Sequence, residues 1–205
     1  MLQAVDLECE RSGRVLFRAL SFALKEGELL RVAGANGRGK TSLLRILCGL
    51  LAPRAGEVRW KGSPIRSLGE DYARDLVYLG HAPAVKDDLT AAENLSIACR
   101  LAGNRRSAAE IRAALGELGV PGSSFLKKLS QGQRRRAALA RLVLSQSIPL
   151  WLLDEPLAAL DADAAARVEG LISEHVSEGG TVIYTTHQAA RIEGRLLDLD
   201  AAAHA

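Results

Sequence analysis

The segment that most limits how this chain can fold is the glycine-rich run from Gly34 to Thr41, which reads Gly-Ala-Asn-Gly-Arg-Gly-Lys-Thr. It fits the pattern G-x-x-x-x-G-K-[ST] in full. An apolar run over 28–33 precedes it, and leucines at helical spacing follow it from Thr41. The glycines let successive backbone N–H groups curl around an anion, Lys40 adds a positive charge, and the helix adds its dipole. The sequence therefore predicts a phosphate-binding loop between a buried strand and a helix.

Further apolar runs bounded by turn residues predict the other strands of an α/β fold. The helix after the loop is expected to stop near Pro53 and Gly56. Because apolar strands alternate with helices, we expect a parallel sheet covered on both faces. The predicted strands are Leu2–Cys9, Leu16–Leu24, Glu28–Ala33, Glu57–Trp60, Leu76–Gly80, Pro149–Leu153 and Thr181–Thr185.

The middle of the chain changes from strand to helix character. Thr90 with Glu93 and Ser107 with Glu110 both match the capping box, a hydroxyl followed three residues later by a glutamate. We interpret residues 83–132 as a small helical lobe inserted into a single domain of 205 residues. Residues 1–82 and 133–205 then form the core and an N-terminal β subdomain.

Composition excludes two broad classes of protein. With 48% hydrophobic residues and a net charge of +3, the chain is not expected to be disordered. The longest apolar stretch, residues 43–52, is interrupted by Arg45 and is too short to span a bilayer. The N-terminus does not resemble a signal peptide, and three separated cysteines predict neither disulfides nor a zinc site, which fits a reducing cytoplasm.

Two acids follow the apolar strand before residue 154. The carboxyl end of such a strand faces the ligand crevice of a parallel sheet. Asp154 and the Thr41 hydroxyl can therefore hold Mg²⁺, and Glu155 can orient or deprotonate an attacking water. The alternative is that these acids only cap the next helix.

Leu129-Ser130-Gln131-Gly132-Gln133 stands directly before a basic helix over 134–141. A serine and a glycine at a helix N-terminus make a second candidate anion site. Each arginine of that helix, taken singly, favours a solvated face. Together these motifs resemble the nucleotide-binding subunits of ABC transporters, whose signature motif reads LSGGQ.

The resemblance extends over nearly the whole chain, because the motifs stand in the family's order. Gly34–Thr41 matches Walker A, Leu150–Glu155 matches Walker B, Ala158–Asp161 matches the D-loop and Thr185–His187 matches the switch-histidine strand end. It implies a P-loop NTPase fold of ABC type, with a parallel sheet, an N-terminal antiparallel β subdomain and the inserted lobe as its parts.

The resemblance also implies the site. Glu155 would be the general base and His187 would contact the γ-phosphate, while Thr41 and Asp154 would hold Mg²⁺. Two cassettes would pair head to tail, so that Ser130, Gly132 and Gln133 serve the ATP of the partner chain. The residues expected to bind ATP in the chain's own site are Gly34, Ala35, Asn36, Gly37, Arg38, Gly39, Lys40, Thr41, Ser42 and Arg11.

The chain departs from the family pattern at four positions. His81 stands where the Q-loop glutamine is usual, and we expect it to take over that residue's part near the attacking water. Arg11 stands where an aromatic residue often stacks on adenine, a contact that a guanidinium can also make. Gln131 in the signature and Arg38 in Walker A are milder departures.

Within the family, four local matches resemble the ATP-binding subunit of cytochrome c maturation systems, which export haem. They are Cys9-Glu10-Arg11 with Leu16-Phe17, Tyr78–His81, Thr186–Gln188, and an end soon after the last strand. This resemblance implies an ATP-hydrolysing subunit that dimerises on ATP and binds integral membrane subunits, peripherally on the cytoplasmic face of the bacterial inner membrane. Neither nucleic acid nor direct haem binding is expected.

Three alternatives remain at this point. The first is an ABC transport ATPase for another substrate. A soluble ABC ATPase acting on ribosomes or DNA would need two cassettes or a long coiled-coil insertion, and neither fits in 205 residues. An unrelated P-loop kinase would require the signature and D-loop matches to be accidental.

Overall fold

The structure is a computed structural model that describes residues 1–186 and 192–202. Its N-terminal part contains an antiparallel sheet of four strands in the order β2-β1-β4-β5. Strands β1 and β2 form a long hairpin around the Ser12–Gly13 turn. The strands are β1 Leu2–Arg11, β2 Arg14–Leu24, β4 Ala55–Trp60 and β5 Ser63–Pro64.

The second sheet is parallel throughout and has the order β6-β7-β8-β3-β9. Its central strands are short and buried, with every residue of β7 and β8 shielded from solvent. All five carboxyl ends meet at one edge of this sheet. The strands are β3 Leu29–Ala33, β6 Leu76–Leu79, β7 Leu150–Leu153, β8 Thr181–Thr185 and β9 Arg195–Asp198.

Helices cover both faces of the parallel sheet. α4 and α5 begin with the capping boxes expected from sequence, and a 3₁₀ turn at Leu126–Lys128 leads into α6. The helices are α1 Lys40–Leu47, α2 Ile65–Leu68, α3 Glu70–Arg74, α4 Ala91–Leu101, α5 Ala108–Glu117, α6 Gln131–Val143, α7 Ala162–Ser177 and α8 Leu199–Ala202.

The strand β7 separates two hydrophobic cores. Trp151 and Leu153 point into the core formed with α4 to α7, whereas Leu150 and Leu152 point into the core shared with α1 and the antiparallel sheet. Alternate residues of a strand face opposite sides, so a strand with helices on one side and a second sheet on the other must be apolar at every position. This arrangement confirms the predicted α/β class with a parallel sheet and an N-terminal antiparallel sheet.

The prediction for the end of the first helix was wrong. α1 ends at Leu47, and Gly49 adopts a left-handed conformation with φ of 79°. The Gly49 N–H donates to the Ile46 carbonyl, which turns the chain away, and Leu50 is consequently 69% exposed. The leucine spacing that predicted a longer helix continues past Gly49, but the residues after Gly49 are not part of α1.

In the described part of the chain, no helix combines the length and the apolar character needed to cross a membrane.

Candidate functional site

The candidate site lies at the carboxyl edge of the parallel sheet, where the chain leaves β3, β6, β7 and β8. The phosphate-binding loop follows β3, and the acids at 154 and 155 follow β7. β7 pairs with β6 and β8, and β8 pairs with β3. Parallel pairing therefore brings together motifs more than a hundred residues apart in the sequence.

The phosphate-binding loop leaves the first turn of α1 open. Its N-cap, Gly39, is left-handed with φ of 99° and provides no side-chain cap. A Cβ at Gly39 would stand 3.1 Å from the Leu16 side chain and 3.3 Å from Phe17, so this position requires glycine for both conformation and space. The Lys40 ammonium, 8% exposed, donates to the Gly34 carbonyl at 2.6 Å and to the Ala35 carbonyl at 3.2 Å.

A carboxylate from the last helix holds the outer side of this loop. Asp200 accepts hydrogen bonds from the Ala35 N–H at 2.8 Å and from the Arg38 Nε. The Ala35 hydrogen bond lowers the pKa of Asp200, and the Arg38 guanidinium acts in the same direction. Arg38, a departure from the family pattern, therefore pairs with Asp200 on the outer side of the loop. Nothing in the sequence near the loop indicated Asp200, which lies 165 residues from Ala35.

Asp154 is the centre of the polar cluster between β7 and β8. It is 1% exposed, and its two oxygens accept hydrogen bonds from Thr41 and Thr185, each at 2.8 Å. The carboxylate thus joins the start of α1 to the end of β8. The Thr185 contact was not foreseen from the sequence, although its place at a strand end beside the predicted switch histidine was a signal.

Glu155 has a backbone conformation that is unusual for a glutamate. Its φ is 52°, in the left-handed region, which for a residue other than glycine costs on the order of 1–3 kcal/mol. Its N–H donates to the Thr185 hydroxyl at 2.9 Å, and its side chain is largely buried. Backbone strain of this kind is typical of functional sites, where surrounding contacts hold the residue in place.

Arg135 is a member of this site that sequence reasoning missed. The sequence favoured a solvated helix face for each arginine of α6, but Arg135 is only 5% exposed. Burial lowers its pKa, while the carboxylates of Asp154 and Glu155 act in the opposite direction. The signal was present in the helical spacing, because Arg135 shares a face with the buried Leu139 and Leu142.

The phosphate loop and the two acids after β7 line an open cleft of about 630 Å³, whereas Arg135, Thr185 and Asp200 lie outside its lining. Leu16 and Ala158 also line it, although neither was predicted. Gly34, Ala35 and Arg38 lie in the loop but outside the lining, and His187 falls outside the described residues. The predicted site residues that line the cleft are Arg11, Asn36, Gly37, Gly39, Lys40, Thr41, Ser42, His81, Asp154 and Glu155.

The signature residues do not line this cleft. Ser130 is the N-cap of α6, and it forms a capping box in which Gln133 donates its N–H to Ser130 Oγ at 3.2 Å and accepts from the Ser130 N–H at 2.9 Å. A Cβ at Gly132 would stand 2.9 Å from the Ala159 carbonyl of the predicted D-loop. The glycine therefore lets the D-loop approach the start of α6.

Comparisons with known proteins agree with this arrangement. The family model described as ABC transporter matches residues 17–158. The cytochrome c biogenesis ATP-binding export protein CcmA of Nitrosospira multiformis is 51% identical over 195 residues, 94% of each chain. The protein of the same name from Nitrosomonas europaea is 52% identical over 190 residues, which are 92% of this chain and 89% of the relative.

Solved structures show the same fold. The structure of an ATP-binding subunit of an ABC transporter aligns with a TM-score of 0.80 at 26% identity, over 91% of this chain and 79% of that one. A dimeric ATP-binding cassette bound to ADP and Pi shares the fold with a TM-score of 0.83 at 22% identity, over 97% and 94% of the two chains. From its motifs, its fold and these relatives, the chain belongs to the ABC transporter family and, within it, to the cytochrome c biogenesis ATP-binding export proteins.

Proposed function

We propose that this chain is the ATP-hydrolysing subunit of a membrane export complex for cytochrome c biogenesis, with haem as the cargo of the complex. The observation that carries the hydrolytic part is the cluster in which the Asp154 carboxylate bonds Thr41 of the Walker A helix directly beside Glu155. The assignment to cytochrome c biogenesis is supported by relatives about half identical over nearly the whole chain.

ATP binding in this proposal begins at the phosphate loop. The N–H groups at the open start of α1 and the Lys40 ammonium meet the phosphates. Lys40 exchanges its two loop carbonyls for phosphate oxygens when the nucleotide enters. Arg11, at the end of β1, lines the same cleft and stacks its guanidinium on the adenine.

The residues present fit a magnesium ion. Mg²⁺ prefers oxygen ligands and is usually held by one or two protein groups together with substrate phosphates and waters. The Thr41 hydroxyl and the Asp154 carboxylate form such a donor pair, 2.8 Å apart, at the phosphate loop. Within residues 1–186 and 192–202 no cluster of three or more His, Cys, Asp or Glu converges to form an all-protein metal site. When bound, the ion neutralises charge on the phosphates.

Glu155 acts as the general base in this proposal. Glu155 is one of the residues that line the cleft, and its backbone N–H donates to the Thr185 hydroxyl. His81 lines the cleft from the end of β6 and takes the part of the Q-loop glutamine near the attacking water. His187 would contact the γ-phosphate in the same mechanism, a role that rests on the family resemblance.

We further propose that two chains pair head to tail around two ATP molecules. Ser130, Gly132 and Gln133 are absent from the lining of the chain's own cleft, which fits service to the ATP of a second copy. Residues 83–132 would act as the lobe that carries this signature surface.

The segment from about Ala84 to Arg100 is proposed to dock the membrane subunits, which would place the chain on the cytoplasmic face of the inner membrane. Asn94 of α4 fixes this segment, because its side chain bonds both the N–H and the carbonyl of Lys86 at 2.7 and 3.0 Å. Ile97, on the same helix, is 41% exposed. The result is an ordered surface with an apolar side chain on it.

The proposed function is tested with Glu155→Gln, which keeps the shape of the side chain and removes the base. We expect retained ATP binding, phosphate release lowered by roughly 100-fold or more, and an ATP-dependent dimer on size-exclusion chromatography. Glu178→Gln, at an exposed residue on the C-cap of α7, is the matched control and should behave as the parent. Near-normal phosphate release by Glu155→Gln would remove Glu155 from the mechanism.

The biological part is tested in a bacterium that lacks its own cytochrome c biogenesis ATP-binding subunit. The parent chain should restore c-type cytochromes, and Glu155→Gln should not. If the parent chain restores an unrelated transport activity while c-type cytochromes stay absent, the assignment to cytochrome c biogenesis is wrong and the ATPase assignment stands.

A further inference from the structure

Three consecutive arginines at the start of α6 have three different environments. Arg134 pairs with the Asp87 carboxylate at 3.0 Å, and Arg136 donates to the Leu118 carbonyl at 3.3 Å, both toward the helical lobe. Arg135 instead points toward the ends of β6 and β7 and is 5% exposed. Only the buried arginine contacts the two strand ends that carry the catalytic groups.

The Arg135 guanidinium makes four hydrogen bonds, all to backbone carbonyls. Nη1 donates to Gly80 at 2.9 Å and to His81 at 3.0 Å, just beyond β6. Nη2 donates to Asp154 and Glu155, each at 2.8 Å, just beyond β7. Because the guanidinium is planar and rigid, one side chain fixes the separation of these two chain segments.

The backbone of Glu155 is therefore held from two sides. The Thr185 hydroxyl accepts its N–H, and Arg135 donates to its carbonyl. With φ of 52°, this residue is in a conformation that a glutamate keeps only when its surroundings enforce it. The Thr185 contact comes from the parallel sheet, whereas the Arg135 contact comes from α6, which begins within the signature motif and is called the signature helix below.

We propose that Arg135 is a positioning residue that ties Glu155 to the signature helix. Ser130 caps α6, and Arg135 lies five positions after it on the same continuous helix, about 7.5 Å along the axis. A displacement of the Ser130 end is thus passed to the carbonyls of Asp154 and Glu155. This inference depends on the proposed roles of Glu155 as base and of Ser130 at the partner's ATP, and it connects ATP at one site to the base of the other.

The test compares Arg135→Lys with Arg136→Lys in the full chain. An ammonium keeps the charge but is a single nitrogen, which cannot bond four carbonyls in two directions. We expect Arg135→Lys to lower kcat about tenfold and to leave the KM for ATP within twofold, because the phosphate loop is untouched. Arg136→Lys should leave both parameters within twofold. A kcat of Arg135→Lys within twofold of the parent would overturn the proposal.

A double-mutant cycle with Glu155→Gln separates positioning from general support of the fold. If Arg135 acts through Glu155, adding Arg135→Lys to Glu155→Gln should slow single-turnover hydrolysis by no more than a further twofold. Additive losses, or a loss of ATP affinity parallel to the loss of kcat, would show a merely structural arginine and overturn the proposal.

Arg135→Gln provides a second variant if Arg135→Lys does not fold, since its uncharged amide is less costly to bury and still donates two hydrogen bonds. We expect the same loss of kcat from Arg135→Gln, and no more than a further twofold loss when it is added to Glu155→Gln. Additive losses in this pair would again overturn the proposal. The proposed base is judged separately by Glu155→Gln alone. If Glu155→Gln hydrolyses ATP slowly while the Arg135 variants hydrolyse it at the parent's rate, only the positioning role of Arg135 is refuted. If Glu155→Gln hydrolyses ATP at the parent's rate, the role of Glu155 as general base is refuted.

Discussion

The N-termini of α1 and α6 were both predicted as anion sites, and the structure forms them in different ways. α1 begins after Gly39, which has no side chain to cap the helix. α6 begins after Ser130, whose hydroxyl accepts the Gln133 N–H while Gln133 accepts the Ser130 N–H. The first helix end is open for phosphate before any ligand arrives, and the second satisfies part of its own hydrogen bonding.

The capping boxes of α4 and α5 show what is particular about α6. In those two helices the cap hydroxyl also donates to a glutamate, from Thr90 to Glu93 and from Ser107 to Glu110, each at 2.8 Å. Hydrogen bonds from the cap residue lower the pKa of both glutamates, so these helix ends carry a negative charge. The corresponding residue of α6 is the neutral Gln133, and within its cap the Ser130 hydroxyl only accepts.

This difference fits the proposal that the start of α6 binds an anion, whereas the starts of α4 and α5 are only capped. A glutamate stabilises a helix N-terminus and repels phosphate, whereas a glutamine retains the reciprocal cap without the charge. In the proposed dimer the hydroxyl hydrogen of Ser130 then remains for a phosphate oxygen of the partner's nucleotide. α1 has no side-chain cap at all, which suits its proposed contact with the phosphates of the chain's own nucleotide.

The test with the largest expected effect removes one proposed phosphate contact from each helix N-terminus in turn. Lys40→Ala and Ser130→Ala should each lower ATP hydrolysis by roughly 100-fold, since each removes a direct phosphate contact. In the proposed head-to-tail dimer Lys40 serves the chain's own nucleotide and Ser130 that of the partner, so a mixed dimer would have one intact site and one doubly damaged site. Phosphate release should partly recover when the two inactive variants are mixed. Failure to recover, with heterodimers demonstrated, would place both residues at the same nucleotide.

A finer test converts the cap of α6 into the kind found in α4. Gln133→Glu should preserve the capping box and the thermal stability while lowering ATP hydrolysis roughly tenfold, because it places a negative charge beside the partner's phosphates. Glu93→Gln in α4 is the reverse change at a helix end outside the site, and it should leave hydrolysis unchanged. Equal activity of Gln133→Glu and the parent would mean that no phosphate approaches this helix end.

The smallest expected effect is a loss of stability at low pH, which limits the pH range in which the two helix N-termini can be compared. His175 of α7 is 1% exposed and stacks on Trp151 with ring centroids 3.8 Å apart. Burial lowers its pKa from 6.5 to about 4. The unfolded chain therefore takes up this proton first as the pH falls, and stability is lost between about pH 6.5 and 4, by roughly 2 kcal/mol at pH 5.

Urea unfolding of the parent at pH 7.5 and pH 5 measures this loss. His175→Phe keeps an aromatic ring on Trp151 and removes the titrating group, so its free energy of unfolding should change less between the two pH values. The slope with pH is the quantity compared, since the absolute stability of the variant also reflects repacking next to Gly180. Equal slopes would show that His175 does not titrate differently in the folded and unfolded chains.

Local patterns were enough to predict most of the cleft. The phosphate loop is one continuous run, and Asp154 and Glu155 follow an apolar strand directly, so their chemistry is readable without knowing the fold. The capping boxes of α4 and α5 were predicted for the same reason, because each joins residues three apart. The end of α1 was not predicted correctly, because the spacing of the leucines continues on both sides of Gly49, where the helix stops.

The sequence by itself determined the α/β class, the phosphate loop and the pair of acids, because each depends on neighbours within a few residues. Only the tertiary structure decided that Asp200 holds Ala35, that Thr185 holds Asp154, and that the Arg135 guanidinium meets the carbonyls just beyond β6 and β7. These contacts depend on the pairing of parallel strands and on the orientation of α6, which bring together groups 19 to 165 residues apart in the sequence. Helical spacing places Arg135 on the buried face of α6, but it does not show that four carbonyls will surround the guanidinium, because that depends on where the strands end in space.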